Sequence, residues 1–218
     1  MLVKKTNMGV YFICKAFRQT PLFFLIESNR NVNFFIVVIH MLFYYLRKME
    51  QYPAYWPQFY TATILTWKPL LKPDKYKEIV ISSLQYLTVN KQITLYAFVI
   101  MNNHIHLIWQ VLSGKTPEKV QHSFMKYTAQ QIKFDLVEHH PKVLDQFRVN
   151  AKDRTCQFWE RNSLGIELRT SKVFIQKLEY IHWNPVKAGF CSLPEEFYFS
   201  SARYYLTGVD DFNMLTHC

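Results

Sequence analysis

Ile93 to Val111 reads ITLYAFVIMNNHIHLIWQV, and this stretch decides the fold. Ile93 to Met101 is a near-continuous apolar run of strand length, as expected for a strand buried on both faces. Asn102-Asn103 has the chemistry of a tight turn. His104 to Val111 is then a second strand, so the two form a hairpin. Residues two apart on a strand face the same way. His104 and His106 therefore share one face of the sheet, and Ile105 and Leu107 can enter the core on the other. Two imidazoles about 7 Å apart along a sheet face can share a metal ion. An isolated H-x-H is more often a coincidental surface pair, so its place beside a turn at the centre of a sheet carries the weight.

On the N-terminal side of the hairpin, residues 57–67, PQFYTATILTW, are rich in β-branched and aromatic side chains and predict a strand. Pro69 and Pro73 break the chain. From Asp74 to about Thr88, Tyr76, Ile79, Ile81, Leu84 and Leu87 recur at mostly helical spacing. On the C-terminal side, Thr116-Pro117-Glu118 has a capping hydroxyl, a proline suited to the first helical position and an acid in the first turn, predicting a helix to about Val137. Residues 139–157 are polar and irregular in pattern. Phe158 to Glu160 and Ile166 to Arg169 read as short extended pieces. Ser171 is the expected cap of a last helix, stopped near Trp183 or Asn184 by Pro185 and Gly189. Residues 190–218 show little periodicity. The order strand, helix, strand, strand, helix, strand piece, helix predicts an α+β fold, a ferredoxin-like antiparallel sheet with helices packed on one face.

The last helix carries Tyr180-Ile181-His182-Trp183-Asn184-Pro185. Side chains four apart stack on one helical face, so Tyr180 and Asn184 share a stripe flanked by Lys177 and Lys187. Phe174, Leu178, Ile181 and Pro185 fall on another side and suit packing onto the sheet. Read alone, Tyr180 is a packing residue and Asn184 a helix cap. Read with His104 and His106, Asn184 offers a third, oxygen ligand. An N/N/O set leaves positions open for phosphate oxygens and suits Mg²⁺ or Mn²⁺. The Tyr180 hydroxyl becomes a candidate covalent nucleophile, with Lys177 or Lys187 favouring the phenolate or binding a phosphate oxygen. His182 points about 200° away from Tyr180 around the helix and is read as structural. His122, His139 and His140 receive no role.

Net charge is +10 over 218 residues with a pI near 9.4, which favours a polyanionic partner. Residues 115–187 hold thirteen bases against eight acids, so positive excess surrounds the two motifs. Half of the chain is hydrophobic, which excludes a wholly disordered protein. Cys14, Cys156, Cys191 and Cys218 form no C-x-x-C pair, which speaks against a thiolate zinc site and suits reduced thiols in a cytosolic protein. Val32 to Leu46 is an apolar run between Arg30 and Arg47, shorter than the about 20 residues a spanning helix needs and interrupted by Asn33 and His40. Residues 1–48 are read as an extension outside the functional body, translated from a start upstream of the natural one, with a short membrane anchor as the competing reading. No stable membrane association is expected.

At these residues the chain resembles the REP-associated tyrosine transposases, within the single-tyrosine HUH superfamily. Ala97 to Leu107, AFVIMNNHIHL, is similar to that family's metal-binding strand, and Tyr180 to Gly189, YIHWNPVKAG, to its nucleophile helix. Phe158-Trp159-Glu160 and Phe199-Ser200-Ser201-Ala202-Arg203 share the likeness. The resemblance covers about Met49 to Gly208, giving an HUH transposase domain over 49–208 and a tail over 209–218. It implies cleavage and rejoining of single-stranded DNA, with Tyr180 holding a 5′ phosphate, and His104, His106 and Asn184 as metal ligands. It implies palindromic repeat DNA folded as a hairpin as the substrate and a cytoplasmic, nucleoid-associated protein. Lys126, Lys133, Arg161, Arg169, Lys172, Lys177 and Lys187 are candidate phosphate contacts. Trp109, Trp159, Phe158 and Trp183 are candidates for base stacking, with Trp109 favoured for the core. The competing classes are a catalytically inactive, domesticated hairpin-binding module and a membrane-associated basic protein organised by 32–46. Whether the Tyr180 helix serves its own chain or a partner in a homodimer is left open.

Overall fold

The computed structural model describes residues 55–112, 114–161 and 163–216. The apolar run at 32–46 lies outside them. Among the described residues no helix is long and apolar enough to cross a membrane.

Four strands form one antiparallel sheet: β1 (Gln58–Thr63), β2 (Ile93–Ile100), β3 (His104–Val111) and β6 (Leu164–Glu167), in the order β2-β3-β1-β6. The β2–β3 hairpin falls where the apolar run and the Asn-Asn turn put it. β1 is shorter than the 57–67 reading. It ends at Thr63 and gives way to a 3-10 turn over Leu65–Trp67, in which Thr66 and Trp67 take φ of 56° and 59°. In β1–β3 the register sets Thr61 opposite His106 and Thr63 opposite His104.

Two long helices cover one face. The first, α1 (Asp74–Val89), buries Tyr76, Val80, Ile81, Leu84 and Leu87. The second, α2 (Pro117–His139), starts where Thr116 Oγ1 accepts the Lys119 N–H and buries Val120, Phe124, Ile132 and Leu136. They meet Ile105, Leu107 and Trp109 of β3 in the larger core. Asp135 joins the pair, accepting from Tyr76 Oη and Lys75 Nζ at 2.6 Å each. Residues 139–157, irregular in pattern, hold a short helix α3 (Pro141–Asp145) and a small ladder of β4 (Arg148–Ala151) with β5 (Arg154–Cys156).

The last long helix, α4 (Ser171–Lys187), packs on the opposite face. Ile181 meets Phe59, Val99 and Ile108 in a smaller apolar cluster, joined by the part-buried Val173, Phe174 and Leu178. The sheet is thus covered on both sides, and the histidine face is the one α4 shares. Two details of this helix differ from expectation. Thr170, not Ser171, is the cap, accepting the Val173 N–H at 3.3 Å. Pro185 does not stop the helix but sits in its final turn. The helix ends at Lys187, and Gly189, φ 73°, turns the chain away, with Gly189 N–H on Val186 O and Phe190 N–H on Pro185 O. A short helix α5 (Ala202–Thr207) follows.

The chain end belongs to the same compact unit, Pro53–Cys218. Phe212 and Met214, expected in a separate tail, are buried in the larger core. Asp210 carboxylate oxygens accept the N–H groups of Phe212, Met214 and Leu215. Leu215 and Ser200 bridge Leu95 and Val99 of β2, along the side of that strand away from β3.

Candidate active site

The rings of His104 and His106 project from β3 and lean together, 4.8 Å between centroids. Each has its Nδ1 tied. His104 Nδ1–H donates to Asn103 Oδ1 at 2.7 Å, and His106 Nδ1 bonds Thr61 Oγ1 at 2.8 Å. Each Nε2 is then the nitrogen left for a further partner. His106 is 5% exposed, and its Nε2 has no protein partner.

Burial favours neutral rings. His106 is pushed down to about 3, by burial first and then by the positive charge of His104 and Lys177. Burial also lowers His104, partly offset by a bond with the Asn184 side chain. Asn184 therefore reaches the imidazole pair. Its side chain is not the helix cap, a role that falls to Ala188.

Tyr180 completes the cluster from the same helix face and the same chain. Its ring lies 5.1 Å from that of His106 and is 40% exposed, leaving the phenol accessible. Lys177 Nζ and Lys187 Nζ stand 5.7 Å and 5.8 Å from its ring centroid. Phe59, which sequence reasoning did not single out, is the floor: it stacks on His106 at 5.3 Å, meets Tyr180 edge-on at 5.9 Å and lies under Lys177 at 4.7 Å. Thr61 and Asn103 were also unmarked. Thr61 would have needed the β1–β3 register to be found, and Asn103 reads from sequence only as a turn residue. His182 points away, bonding Ser201 Oγ at 3.0 Å, in keeping with its structural reading.

The residues fit a divalent ion. Two neutral rings stand together, one with a buried Nε2 that has no protein partner and the other bonded to the Asn184 side chain. Among the described residues no three His, Cys, Asp or Glu side chains gather as a metal cluster; the Asn184 amide beside His104 is a neutral oxygen donor.

The remaining candidates divide. Lys177 and Lys187 are at the site. Arg169 lies two residues before α4, paired with Glu167 at 2.7 Å. Lys126, Lys133 and Arg161 do not join them. They line a groove of about 700 Å³ between α2 and residues 153–163. Trp109, Trp159 and Phe158 are buried and so cannot stack on bases, whereas Trp183 is 46% exposed. Trp159 Nε1–H is spent on Thr128 Oγ1.

An antiparallel sheet that carries paired histidines opposite a tyrosine helix defines the HUH-type fold, and this chain has it. No family model matches the chain. It is 29% identical over 106 residues, 48% of its length, to a Haemophilus influenzae protein named provisionally as a REP-associated tyrosine transposase. That match spans 56% of the relative, about half its length. The fold is similar to that of a REP-associated tyrosine transposase solved bound to a REP hairpin, with TM-score 0.54 and 16% identity over 76% of this chain and 89% of that one. A Deinococcus radiodurans R1 protein described provisionally as a transposase is matched at TM-score 0.39, 11% identity, 60% of this chain and 92% of that one, too distant to carry an argument. The likeness to the REP-associated tyrosine transposases read from the two motifs is supported by both a curated relative and a solved fold.

Proposed function

We propose that the chain cleaves and rejoins single-stranded DNA through a covalent bond to Tyr180, acting on hairpin-forming repeats. The observation that carries this is the meeting of an accessible phenol, two cations and two neutral imidazoles on one face of the sheet. In the proposed step the Tyr180 hydroxyl loses its proton to solvent and its oxygen attacks phosphorus. The bond to the 3′ oxygen breaks, that oxygen takes a proton, and the 5′ phosphate stays on Tyr180. Attack by a 3′ hydroxyl on the same phosphotyrosine reverses the bond changes and rejoins a strand. Lys177 and Lys187 hold the phosphate oxygens by charge. His104, His106 and Asn184 are the residues that would hold a divalent ion. Bound there, Mg²⁺ or Mn²⁺ would polarise the phosphate and stabilise the charge that builds on it. The solved relative is bound to a REP hairpin, which supports hairpin DNA as the substrate class here.

The test is incubation with hairpin oligonucleotides bearing single-stranded flanks, in Mn²⁺, followed by a denaturing gel. A covalent adduct is expected from the parent and none from Tyr180→Phe. An adduct that persists in the variant, or none from the parent across a broad panel, would overturn the reading. Binding without cleavage would leave the hairpin-binding module in its place.

A further inference from the structure

Four aromatic rings at the site touch in succession. Trp67 meets His104 at 5.6 Å, His104 meets His106 at 4.8 Å, and His106 meets Tyr180 at 5.1 Å between centroids. Trp67 thus packs on one imidazole of the pair and Tyr180 on the other. Trp67 is 61% exposed, so it does not serve the core. A single exposed aromatic needs no explanation by itself, but the backbone under this one is unusual. Thr66 and Trp67 both have left-handed φ, 56° and 59°, and a β-branched or bulky residue adopts that region at a cost.

Three bonds tie the strained turn to segments distant in sequence. Leu65 N–H donates to Phe158 O at 2.7 Å, and Thr66 N–H to Glu160 Oε1 at 2.8 Å. Asn103 Nδ2 donates to Trp67 O at 3.3 Å. The same Asn103 side chain holds His104 Nδ1 through its oxygen. One amide therefore registers the indole-bearing backbone against the ring beside it. The strain keeps an uncovered indole next to the reacting groups.

We infer that Trp67 is a stacking platform for the DNA base on the 5′ side of the cleaved phosphate. This rests on the DNA-cleavage reading above. In displacement at phosphorus the entering and departing oxygens lie roughly in line, on opposite sides. The entering oxygen comes from Tyr180. The departing 3′ oxygen and its nucleoside then lie toward the other imidazole of the pair, on which Trp67 packs. An aromatic face accepts any base, so this residue positions the leaving strand without dictating its sequence.

The test uses a hairpin oligonucleotide cleaved by the parent protein. 2-Aminopurine is placed singly on either side of the cleaved bond, and its fluorescence is followed on binding to Tyr180→Phe, which cannot cut. Quenching is expected at the base on the 5′ side, lost in Trp67→Ala/Tyr180→Phe and kept in Trp67→Phe/Tyr180→Phe. In the cleaving background, Trp67→Ala and an abasic site at that base should each slow adduct formation about ten-fold, and together no more than either alone. Losses that multiply, or quenching that survives Trp67→Ala, would overturn the inference while leaving cleavage intact. A parent that neither binds nor cuts any hairpin would instead sink the cleavage reading and this inference with it. A thermal midpoint of Trp67→Ala close to that of the parent checks that the variant is folded.

Discussion

Thr61 and Asn103 decide which imidazole nitrogens face outward. Neither would touch a bound ion, yet each fixes a ring and its remaining nitrogen. Such outer partners are worth about 10–100-fold in metal affinity. Thr61→Val should therefore weaken Mn²⁺ binding about ten-fold with the fold intact, as read by calorimetric titration; unchanged affinity would show that the bond to His106 is idle. His182 gives a pH dependence. Burial lowers it from 6.5 to about 4. As pH falls past 6.5 the unfolded chain takes up a proton that the folded chain refuses until about 4, so stability declines across that window. His106, lowered to about 3, extends the decline further down. Melting in chelator at pH 7.5 and pH 5 should show the drop, and His182→Gln should shrink it. An equal drop in the variant would assign the effect elsewhere.

Among the elements, α4 bears most of the candidate site residues, Lys177, Tyr180 and Lys187 among them, and its last turn bears Asn184. Gly189 closes that turn at φ 73°, with open space around its Cα. An added Cβ would meet no neighbour, so Gly189→Ala isolates the backbone cost, about 1–2 kcal/mol. Urea unfolding should show that loss, and a loss near zero would mean the turn relaxes freely. The same helix shows the limits of reading sequence. Its apolar stripe of Phe174, Leu178, Ile181 and Pro185 was legible because helical spacing is local. Its end was not: a proline is costly inside a helix but tolerable in a last turn, and local pattern does not tell them apart. The β2–β3 hairpin was legible throughout, since a buried apolar run and a turn pair leave little choice. Residues 139–157 were not, because α3, β4 and β5 are too short to carry a period. They are held by contacts such as Gln157 N–H on Phe147 O.

At the scale of the whole molecule, sequence alone could not assign the faces of the sheet. Period two places His104 and His106 together, but which helix shares their side depends on packing among distant segments. The role of the chain end was hidden for the same reason. Phe212 packs against Phe98, Tyr198 and Phe199, so Phe212→Ala should cost about 3–5 kcal/mol, visible as a lowered midpoint in chemical unfolding. A cost under 1 kcal/mol would mark this end as an accessory.

The bridges along β2 have a further consequence. ITLYAFVI is apolar, β-prone and uncharged, and it lies on the border of the sheet. Phe199 O, Ser201 N–H and Thr216 N–H occupy its outward hydrogen-bonding groups at Ile100, Phe98 and Leu95. Removing those segments by proteolysis or an early stop would bare a template onto which other copies could add strand by strand. The failure mode of a shortened chain would then be fibrous or amorphous aggregation, not the quiet loss of a dispensable appendage.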